Sequence, residues 1–463
     1  MSPAKIKFGT DGWRGVIADD FTFASVRRVA QAAADYWRGQ PGNGVLVGYD
    51  NRFFSEVYAR LVCEVLAGNG IPAIYSSVAA PTPAVAYAVR DRQLRGAVMI
   101  TASHNPPPFN GFKLKADYAG PADPELCGAV ERLVDANPVQ SVPFDGNVEI
   151  YDPRRAHLVA VKKLVDLKTI RAAGLRVVVD SMHGCGGRLL EEVLGGTTRT
   201  IRGDRDPLFG GVNPEPIGRN LGALCAAVKQ SRAHIGLATD GDADRLGVVD
   251  DTGRYVSIQL VFALLLLHVL RHRGERGGAV VRSANCTTII DRICQAHGVE
   301  LVEVPVGFKY ICQQMREKDV LIGGEESGGI GFRGHIPERD GILANLMLLE
   351  LLAVTGKKLS RLLTELQAEF GRSAYDRIDM HLPLEKRDRF IAALKQQPPA
   401  DLLGIPLART NTLDGVKYIA TDGSWLMFRT SGTEPIIRIY CEASTSSRVK
   451  KLLVYGRHLA ETM

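Results

Sequence analysis

A weak internal repeat in roughly the first 340 residues places the strongest constraint on how this chain can fold. Three continuous Val/Ile/Leu-rich runs, each ending in polar residues, occur at 44–50, 175–181 and 278–284. Runs of this kind, without alternation, are typical of strands that are buried on both faces. A helical pattern follows each run, and a second apolar run comes next, at 96–100, 235–238 and 320–322. The repeat predicts three successive α/β units of similar architecture.

Each second apolar run leads directly into an unusual polar loop. These loops are 101–106, 240–245 and 324–329. Open α/β sheets place their ligand sites at the carboxyl ends of strands, so we expect each loop to contribute to function. After about residue 370 the segments are shorter, and 416–420 with 425–429 is typical of a hairpin. The fourth unit is therefore predicted to be a smaller α+β domain.

The length of the chain agrees with several domains. Its 463 residues correspond to roughly three domains of ordinary size. Turn-rich segments at 145–155 and 250–255 separate the α/β units. The predicted fold is α/β, with three similar units on mixed sheets and a smaller C-terminal α+β domain. The predicted domain bounds are 1–150, 151–254, 255–370 and 371–463.

The composition argues against several classes of protein. The net charge is +6 without a run of five basic residues, so no nucleic-acid partner is expected. The eight cysteines lack CxxC and zinc-site spacing, which indicates reduced thiols and a cytoplasmic protein. The N-terminus lacks a signal-peptide pattern, and the most apolar run, 258–270, is too short to span a membrane. We expect no membrane partner, a buried helix at 258–270, and a monomer or homodimer.

The acidic loop carries three carboxylates at alternate positions, Asp240, Asp242 and Asp244. Oxygen ligands in such a cluster suit a hard divalent cation, magnesium or calcium. An EF-hand is excluded because its sixth position, which requires glycine, is Arg245, and its twelfth is Asp251 instead of glutamate. Two alternatives stay open, namely a nucleophilic aspartate at Asp240 or Asp242 and a solvated turn.

Ser103 follows the apolar run 97–100 and precedes a Pro/Gly-rich segment. A serine hydroxyl is a weak nucleophile at its ordinary pKa and needs activation. We therefore expect Ser103 to be phosphorylated, with its phosphate bound to the cation, which neutralises charge on the transferring group. The alternative is a serine at a strand end that hydrogen-bonds its own backbone.

Two further loops offer groups that could bind a phosphate and a sugar. The first combines the guanidinium of Arg429 with two or three hydroxyls and with Gly432, which lets backbone amides approach an anion. The second offers Glu325 and Ser327 to sugar hydroxyls. A surface turn and an acidic helix N-terminus are the respective alternatives.

The four loops, in this order, resemble those of the α-D-phosphohexomutase family, which includes phosphoglucomutase, phosphomannomutase and phosphoglucosamine mutase. Three further segments support the resemblance: 8–15 (FGTDGWRG), 110–113 (NGFK) and 334–341 (GHIPERDG). It covers essentially the whole chain. It implies four domains around a central cleft, three of them alike, which from first to fourth provide the phosphoserine, the magnesium site, the sugar site and the phosphate site.

The resemblance also implies a role for each matching residue. Ser103 would be the phosphoserine and would hold magnesium together with the three aspartates of the acidic loop. Glu325 and Ser327 would bind the sugar hydroxyls. The residues implied for a substrate phosphate are Lys309, Arg429, Ser431, Gly432 and Thr433. The basic residues implied for the transfer site are Arg14, Lys113 and Arg245, with Lys113 as the candidate proton shuttle and His104 as a second candidate.

The implied reaction interconverts a hexose 1-phosphate and a hexose 6-phosphate with Mg²⁺ as cofactor. Phosphoserine would give its phosphoryl group to the free hydroxyl, and the resulting 1,6-bisphosphate would reorient before returning its other phosphate. Glucose, with glucose 1,6-bisphosphate as intermediate and activator, is the expected sugar. Glu326 stands where glucosamine-type relatives often carry glutamine, and Gly329 where dual-specificity relatives carry histidine.

Other functions stay open alongside this expectation. Phosphomannomutase and phosphoglucosamine mutase are the alternatives within the family. A metal-dependent sugar phosphatase and a non-catalytic sugar-phosphate sensor are the alternatives of another class. Either mutase activity or phosphatase activity would use the same metal and phosphate sites, but only a phosphatase would release inorganic phosphate.

Overall fold

The structure, a computed structural model, describes residues 6–9, 12–146, 148–430 and 436–462, without the side chain of Leu384. The described strands form four sheets that follow one another along the chain. The first three sheets contain both parallel and antiparallel pairs, whereas the fourth is antiparallel. The fold class predicted from the sequence is confirmed: three α/β units precede a C-terminal α+β unit.

The first unit is built on a six-stranded sheet. Its elements are β1 (Trp13–Val16), α1 (Phe23–Trp37), β2 (Val45–Tyr49), α2 (Ser55–Gly68), β3 (Ala73–Ser76), α3 (Thr82–Asp91), β4 (Gly96–Ile100), β5 (Phe109–Ala116), α4 (Pro124–Leu133) and β6 (Glu149–Tyr151). The strand order is β1-β5-β4-β2-β3-β6, and β5 is antiparallel to both neighbours. A capping box between Thr22 and Ser25 starts α1, and Asp123 caps α4.

The second unit has a five-stranded sheet with the same plan. Its elements are α5 (Pro153–Lys163), α6 (Leu167–Ala172), β7 (Val177–Asp180), α7 (Leu189–Leu194), β8 (Thr198–Ile201), α8 (Gly222–Ser231), β9 (Ile235–Thr239), β10 (Leu246–Val249) and β11 (Tyr255–Val256). The strand order is β11-β10-β9-β7-β8. Parallel pairing joins β7 to β8 and β9, and antiparallel pairing joins β10 to β9 and β11.

The third unit has four strands and the most apolar helices. Its elements are α9 (Ile258–Leu267), β12 (Ala279–Ser283), α10 (Ile289–His297), β13 (Glu300–Val304), α11 (Phe308–Glu317), β14 (Val320–Gly324), β15 (Ile330–Phe332), α12 (Gly341–Thr355) and α13 (Leu359–Phe370). The strand order is β13-β12-β14-β15, with β15 antiparallel to β14. Every residue of α9 except Leu260 is buried, which confirms the buried helix predicted at 258–270. No helix in the described ranges is long and apolar enough to cross a membrane.

The fourth unit is an antiparallel sheet with two helices. Its elements are β16 (Ala374–His381), α14 (Leu384–Gln396), β17 (Leu407–Asn411), β18 (Val416–Ala420), β19 (Trp425–Thr430), β20 (Ile436–Ala443) and α15 (Ser446–Thr462). The strand order is β16-β20-β19-β18-β17. The hairpin predicted around 421–424 is present as β18 and β19.

An antiparallel hairpin encloses each of the first three predicted loops. Strands β4 and β5 enclose 101–108, β9 and β10 enclose 240–245, and β14 and β15 enclose 325–329. The loops therefore occupy equivalent positions in three similar units. The placement of each loop after a buried strand agrees with the sequence analysis.

One strand of each α/β unit was not predicted from the sequence: β3 in the first, β8 in the second and β13 in the third. In chain order, each lies between the two predicted strands of its unit. Strands β8 and β13 lie at sheet edges and are partly exposed, so they lack the continuous apolar run that marks a central strand. The segment 145–155 is also more than a separator. It contributes β6, which pairs with β3 at the edge of the first sheet.

The second and third units share one hydrophobic core, to which α9 and α12 contribute. At the start of α12, the Gly341 amide donates to the Ala243 carbonyl at 3.2 Å. A Cβ atom on Gly341 would lie 2.4 Å from the Arg245 carbonyl oxygen, so only glycine permits this approach. The acidic loop is thus packed directly against the N-terminus of α12.

A buried cluster of two histidines and one aspartate joins the same two units. The Nε2 atoms of His157 and His335 lie 2.6 and 3.0 Å from Asp340 Oδ2. Three such side chains could hold a metal. In the described chain, however, neither histidine Nδ1 has a hydrogen-bond partner, whereas a metal-ligating histidine normally donates its second ring N–H to an acceptor. We therefore interpret the cluster as a hydrogen-bonded junction.

Asp340→Asn is expected to lower the free energy of unfolding by about 3–5 kcal/mol, because it breaks a buried charged contact. Burial alone would raise the pKa of Asp340, but His157 and His335 lower it, so the side chain is ionised at neutral pH. Asparagine caps a helix as well as aspartate, but its amide would face the histidine donors. Urea unfolding measures the effect. The control is Asp388→Asn, at an exposed position, which should change the free energy of unfolding by less than about 0.5 kcal/mol. Equal losses of stability in the two variants would contradict the interpretation of the cluster as a junction.

Candidate active site

Ser103 lies in the β4–β5 loop and faces the acidic loop of the second unit. Its side chain is buried, and its Oγ donates to Asp240 Oδ2 at 3.0 Å. Nδ1 of His104 lies 3.4 Å from the same Oγ. The backbone at Ser103 is left-handed, with φ of 53°, which is uncommon for a residue with a side chain. Two loops 137 residues apart therefore meet at one hydroxyl.

The three aspartates of the acidic loop are fully buried and converge. One potential ligand atom of each lies within 4.8 Å of the others. The other oxygen of Asp240, Oδ1, accepts the amides of Asp244 and Arg245 at 3.0 and 3.1 Å. The loop is consequently curled around Asp240, with its side chains directed to one point.

Side chains from other units bind one carboxylate oxygen each of Asp242 and Asp244, the Oδ2 atoms. Asp242 Oδ2 accepts from Lys113 Nζ at 2.8 Å and from Thr82 Oγ1 at 2.7 Å. Asp244 Oδ2 pairs with Arg339 Nη2 at 2.8 Å and with Lys113 Nζ at 3.4 Å. Charged contacts from the first and third units thus orient the carboxylates of the second.

The other carboxylate oxygens of Asp242 and Asp244, the Oδ1 atoms, are suited to bind a hard divalent cation. Asp242 Oδ1 and Asp244 Oδ1 are buried and have no hydrogen-bond partner within the described ranges. A buried carboxylate oxygen without a hydrogen bond is costly, and a bound cation would compensate both. All available donors are oxygens, including Ser103 Oγ, and this donor set is the one that Mg²⁺ prefers.

The electrostatics of the acidic loop favour a bound cation in a second way. Burial, together with the neighbouring charges of Asp244 and Asp242, raises the pKa of Asp240 well above its ordinary value. Burial would also raise the pKa of Asp242, but Lys113, Thr82 and Arg339 together outweigh burial and lower that pKa. A divalent cation would relieve the repulsion between these carboxylates.

Two predicted basic residues, Arg14 and Arg245, contact the Ser103 loop and the acidic loop respectively. Arg14 Nη1 donates to Asn105 Oδ1 at 2.6 Å, and Arg245 Nε lies 3.8 and 3.9 Å from carboxylate oxygens of Asp244 and Asp240. Burial lowers the pKa of His104 well below its ordinary value, and the charges of Arg245 and Arg14 lower it further. The imidazole is therefore neutral at physiological pH, and its lowered pKa makes it a weak base.

The segment 325–329, which contains Glu325 and Ser327, forms a tight turn between β14 and β15, so the helix N-terminus considered as an alternative is wrong. The turn closes through hydrogen bonds between Glu325 and Gly328 at 3.2 Å and between Glu325 and Gly329 at 3.0 Å. Glu325 Oε1 accepts the Gly307 amide at 2.8 Å, and Ser327 is half-buried. The Leu246 amide donates to the Gly328 carbonyl at 3.2 Å, which joins this turn to the start of β10, directly after the acidic loop.

Two of the predicted phosphate-binding residues, Arg429 and Lys309, belong to the fourth and third units. Arg429 Nε donates to Asp414 Oδ2 at 2.7 Å, and the same oxygen accepts the Val306 amide at 2.9 Å. Lys309 is half-buried at the start of α11, with Nζ 5.2 Å from the Tyr310 ring centre. The remaining predicted residues, Ser431, Gly432 and Thr433, lie outside the described residues.

Sequence reasoning missed three polar side chains that join the units at this site. Arg339 pairs with Asp244, and Thr82 with Asp242, as described above. Arg377 of β16 reaches Glu215 Oε1 at 3.3 Å and Glu326 Oε1 at 3.5 Å, linking the fourth unit to the second and third. Arg339 falls in a segment already singled out, 334–341, but nothing in its local pattern indicated a carboxylate partner.

Models of one family match nearly the whole chain. They are described as phosphoglucomutase/phosphomannomutase alpha/beta/alpha domains I, II and III and C-terminal domain, and they match residues 5–140, 155–253, 259–370 and 386–455. The chain belongs to this family. Phosphoglucomutase/phosphomannomutase family members are mutases, that is, intramolecular phosphotransferases.

Individual relatives agree with this membership. A phosphoglucomutase/phosphomannomutase of Thermococcus kodakarensis is 31% identical over 461 residues, 98% of each chain. A Pyrococcus abyssi protein described as a phosphoglucosamine mutase is 31% identical, over 98% of this chain and 97% of its own. The crystal structure of a Thermus thermophilus protein described as a phosphomannomutase superposes with a TM-score of 0.88 at 39% identity, covering 99% of this chain and 100% of its own. The descriptions of these relatives name different sugars, namely glucose, mannose and glucosamine.

Proposed function

We propose that this phosphohexomutase interconverts glucose 1-phosphate and glucose 6-phosphate through a phosphoserine at Ser103 and a 1,6-bisphosphate intermediate. One observation carries the proposal. The Ser103 hydroxyl is hydrogen-bonded to Asp240 beside two buried carboxylate oxygens that lack a hydrogen-bond partner among the described residues. A phosphoryl group on this hydroxyl would lie beside both a cation site and the cationic side chains of Arg14, Lys113 and Arg245.

Each unit has a separate role in this proposal. Residues 1–150 supply the phosphoserine, 151–254 the magnesium site, 255–370 the sugar site and 371–463 the phosphate site. Ser103, Asp240, Asp242 and Asp244 would hold Mg²⁺. The ion supplies neutralisation of charge on the transferring phosphoryl group.

In the first transfer, the bond between Ser103 Oγ and phosphorus breaks, and a bond forms between phosphorus and the sugar hydroxyl oxygen. The hydroxyl must lose a proton, and Ser103 Oγ must gain one. The ammonium of Lys113, the proposed proton shuttle, would give a proton to Ser103 Oγ and take up the proton of the sugar hydroxyl. His104, whose Nδ1 lies 3.4 Å from Ser103 Oγ, is the second candidate. The second transfer reverses both proton movements.

Substrate binding uses residues from the third and fourth units. Glu325 and Ser327 would bind sugar hydroxyls, while Lys309 and Arg429, with Ser431, Gly432 and Thr433, would hold the phosphate that is not reacting. Because Ser103 is fixed, the bisphosphate must reorient so that either end can reach it. A phosphate site on a different unit makes both orientations bindable.

The sugar is the finer part of the proposal. Glu326, between the two sugar-binding residues, is bonded to Arg377 and to Asn285 Nδ2 at 3.3 Å. Glucose is proposed because of the Glu-Glu-Ser sequence at 325–327. Relatives described as phosphoglucosamine mutases make glucosamine 1-phosphate the second candidate.

The test is an assay of the purified protein with Mg²⁺ and a bisphosphate primer against the 1-phosphates of glucose, mannose and glucosamine. The expected result is the highest kcat/KM with glucose 1-phosphate and no release of inorganic phosphate. Preference for another sugar would reject glucose. Stoichiometric phosphate release would reject the mutase assignment in favour of a phosphatase.

Arg429→Ala is expected to raise KM by roughly ten- to a hundredfold, because a charge-assisted phosphate contact contributes about 1.5–3 kcal/mol. The rate should also fall, since binding of the remote phosphate helps to close the cleft. Steady-state kinetics with the preferred hexose 1-phosphate measure both values. The control is Arg409→Ala, an exposed arginine of the same unit, on β17. Equal effects of the two substitutions would indicate general charge attraction instead of a dedicated phosphate site.

A further inference from the structure

Arg52 is a fully buried arginine beneath the Ser103 loop, and nothing in the mechanism above uses it. Its guanidinium donates to three backbone carbonyls of this loop and to the carbonyl of Phe109, the first residue of β5. The acceptors are Ser103 at 2.6 Å, Asn105 at 2.7 Å, Pro106 at 2.9 Å and Phe109 at 2.9 Å. Nε donates to Asp50 Oδ2 at 3.1 Å. All five N–H groups of the guanidinium therefore have an acceptor.

Asp50 extends this network to the other side of Ser103. Its carboxylate accepts from Thr101 Oγ1 at 2.6 Å and from Ser55 Oγ at 2.8 Å. Thr101 Oγ1 in turn accepts the amide of Ser103 at 2.8 Å. The carbonyl and the amide of Ser103 are thus both fixed, one through Arg52 and the other through Asp50 and Thr101.

This hydrogen-bond network stabilises the backbone conformation of Ser103. A left-handed backbone at a residue other than glycine costs about 1–2 kcal/mol, and four carbonyl oxygens converging on one point repel each other. The buried guanidinium offsets both effects, since its planar fork meets several acceptors at once. A lysine at this position would offer at most three N–H groups to the same four carbonyls.

We propose that Arg52 is a positioning residue for phosphoryl transfer, which holds the main chain of Ser103 so that its hydroxyl faces Asp240 and His104. Asp50 and Thr101 belong to the same hydrogen-bond network and contribute to this positioning. The inference rests on the proposed function of Ser103. Because reacting groups must be held within a fraction of an ångström, release of this loop should lower turnover more than substrate affinity.

The first test is Arg52→Lys, which keeps the charge but removes at least two of the hydrogen bonds. We expect kcat to fall by about 100-fold and KM to change less than about threefold, because the proposed sugar and phosphate sites lie on other units. Hydrogen exchange of the peptide 100–110 should become faster. The matched control is Arg282→Lys, another buried arginine, bonded to Asp291 in the third unit. It should change kcat of the folded enzyme less than about threefold.

A second pair of variants avoids dependence on the folding of Arg52→Lys. Thr101→Val removes the hydroxyl between Asp50 and the Ser103 amide at nearly constant volume, and Thr101→Ser restores it. We expect a kcat about tenfold lower for valine and recovery with serine. A valine variant with unchanged kcat and unchanged exchange of 100–110 would overturn the proposal. So would an Arg52→Lys variant that is less stable but keeps normal kcat.

The experiments separate this inference from the proposed function. A wild-type protein without mutase activity towards any of the three sugar 1-phosphates would reject the proposed function. Exchange of 100–110 needs no substrate, so it still reports whether Arg52 holds the loop. Faster exchange in Arg52→Lys, but not in Arg282→Lys, supports that part, and unchanged exchange rejects it.

Discussion

Replacing Ser103 with alanine is expected to lower kcat by more than about 10³-fold while the protein remains folded. The variant lacks the hydroxyl that would carry the phosphoryl group. Removal of one oxygen atom leaves the hydrogen bonds of the Ser103 backbone to Arg52 and Thr101 in place. A coupled assay with glucose 1-phosphate measures turnover, and mass spectrometry of the wild-type protein locates the phosphorylated residue.

Ser76→Ala is the matched control for this substitution. Ser76 is a buried serine of the same unit. Its Oγ donates to the Val78 carbonyl at 2.6 Å and not to a residue of the acidic loop. Its activity should stay within about twofold of the wild type. Near-normal turnover of Ser103→Ala, or a stable phosphate on another residue, would reject Ser103 as the nucleophile.

Asp242→Asn is expected to raise the Mg²⁺ concentration for half-maximal activity by more than about tenfold and to lower kcat by about 100-fold. The substitution removes one negative charge from the three carboxylates. It also weakens the contact that holds the Lys113 ammonium at 2.8 Å. Titration of activity with Mg²⁺ measures the first effect, and the Mg²⁺-dependent increase in Tm gives a second readout that does not depend on turnover.

A second buried aspartate of the same unit, Asp180, provides the control. Its carboxylate is paired with Arg202 and lies outside the acidic loop. Asp180→Asn should lower stability but leave the Mg²⁺ requirement unchanged. Activity of the wild-type protein that is indifferent to a chelator would show that the cation site is not used.

The site depends on contacts between units more than on any one unit. Ser103 bonds to Asp240, Thr82 to Asp242, and Arg339 to Asp244. The three hairpin loops supply complementary groups because equivalent strand ends face the same space. A repeated α/β plan can thus bring Ser103, the three aspartates and Arg339 of three different units together.

The sequence by itself determined the plan of the fold. Continuous apolar runs marked the central strands β2, β4, β7, β9, β12 and β14, because strands buried on both faces consist mostly of apolar residues. The loops after β4, β9 and β14 were recognisable because each combines residue types that are rarely placed together without a ligand. Ser103 and the three aspartates of the acidic loop could therefore be named before their distances were known.

The tertiary structure alone decided which charged side chains face one another. Lys113 and Lys417 both lie on strands and are both buried, but Lys113 meets Asp242, whereas Lys417 donates to the Ala284 carbonyl and lies 4.1 Å from the Trp425 ring centre. Apart from the segment 110–113, which carries the family resemblance, nothing local distinguishes the two lysines.

The same limit applies to Arg52, whose carbonyl partners begin 51 residues further along the chain. A local pattern reports whether a side chain can be buried and which hydrogen bonds it can make. Its partner depends on how sheets and units pack, because a buried charge must meet an acceptor that only the folded chain brings within reach.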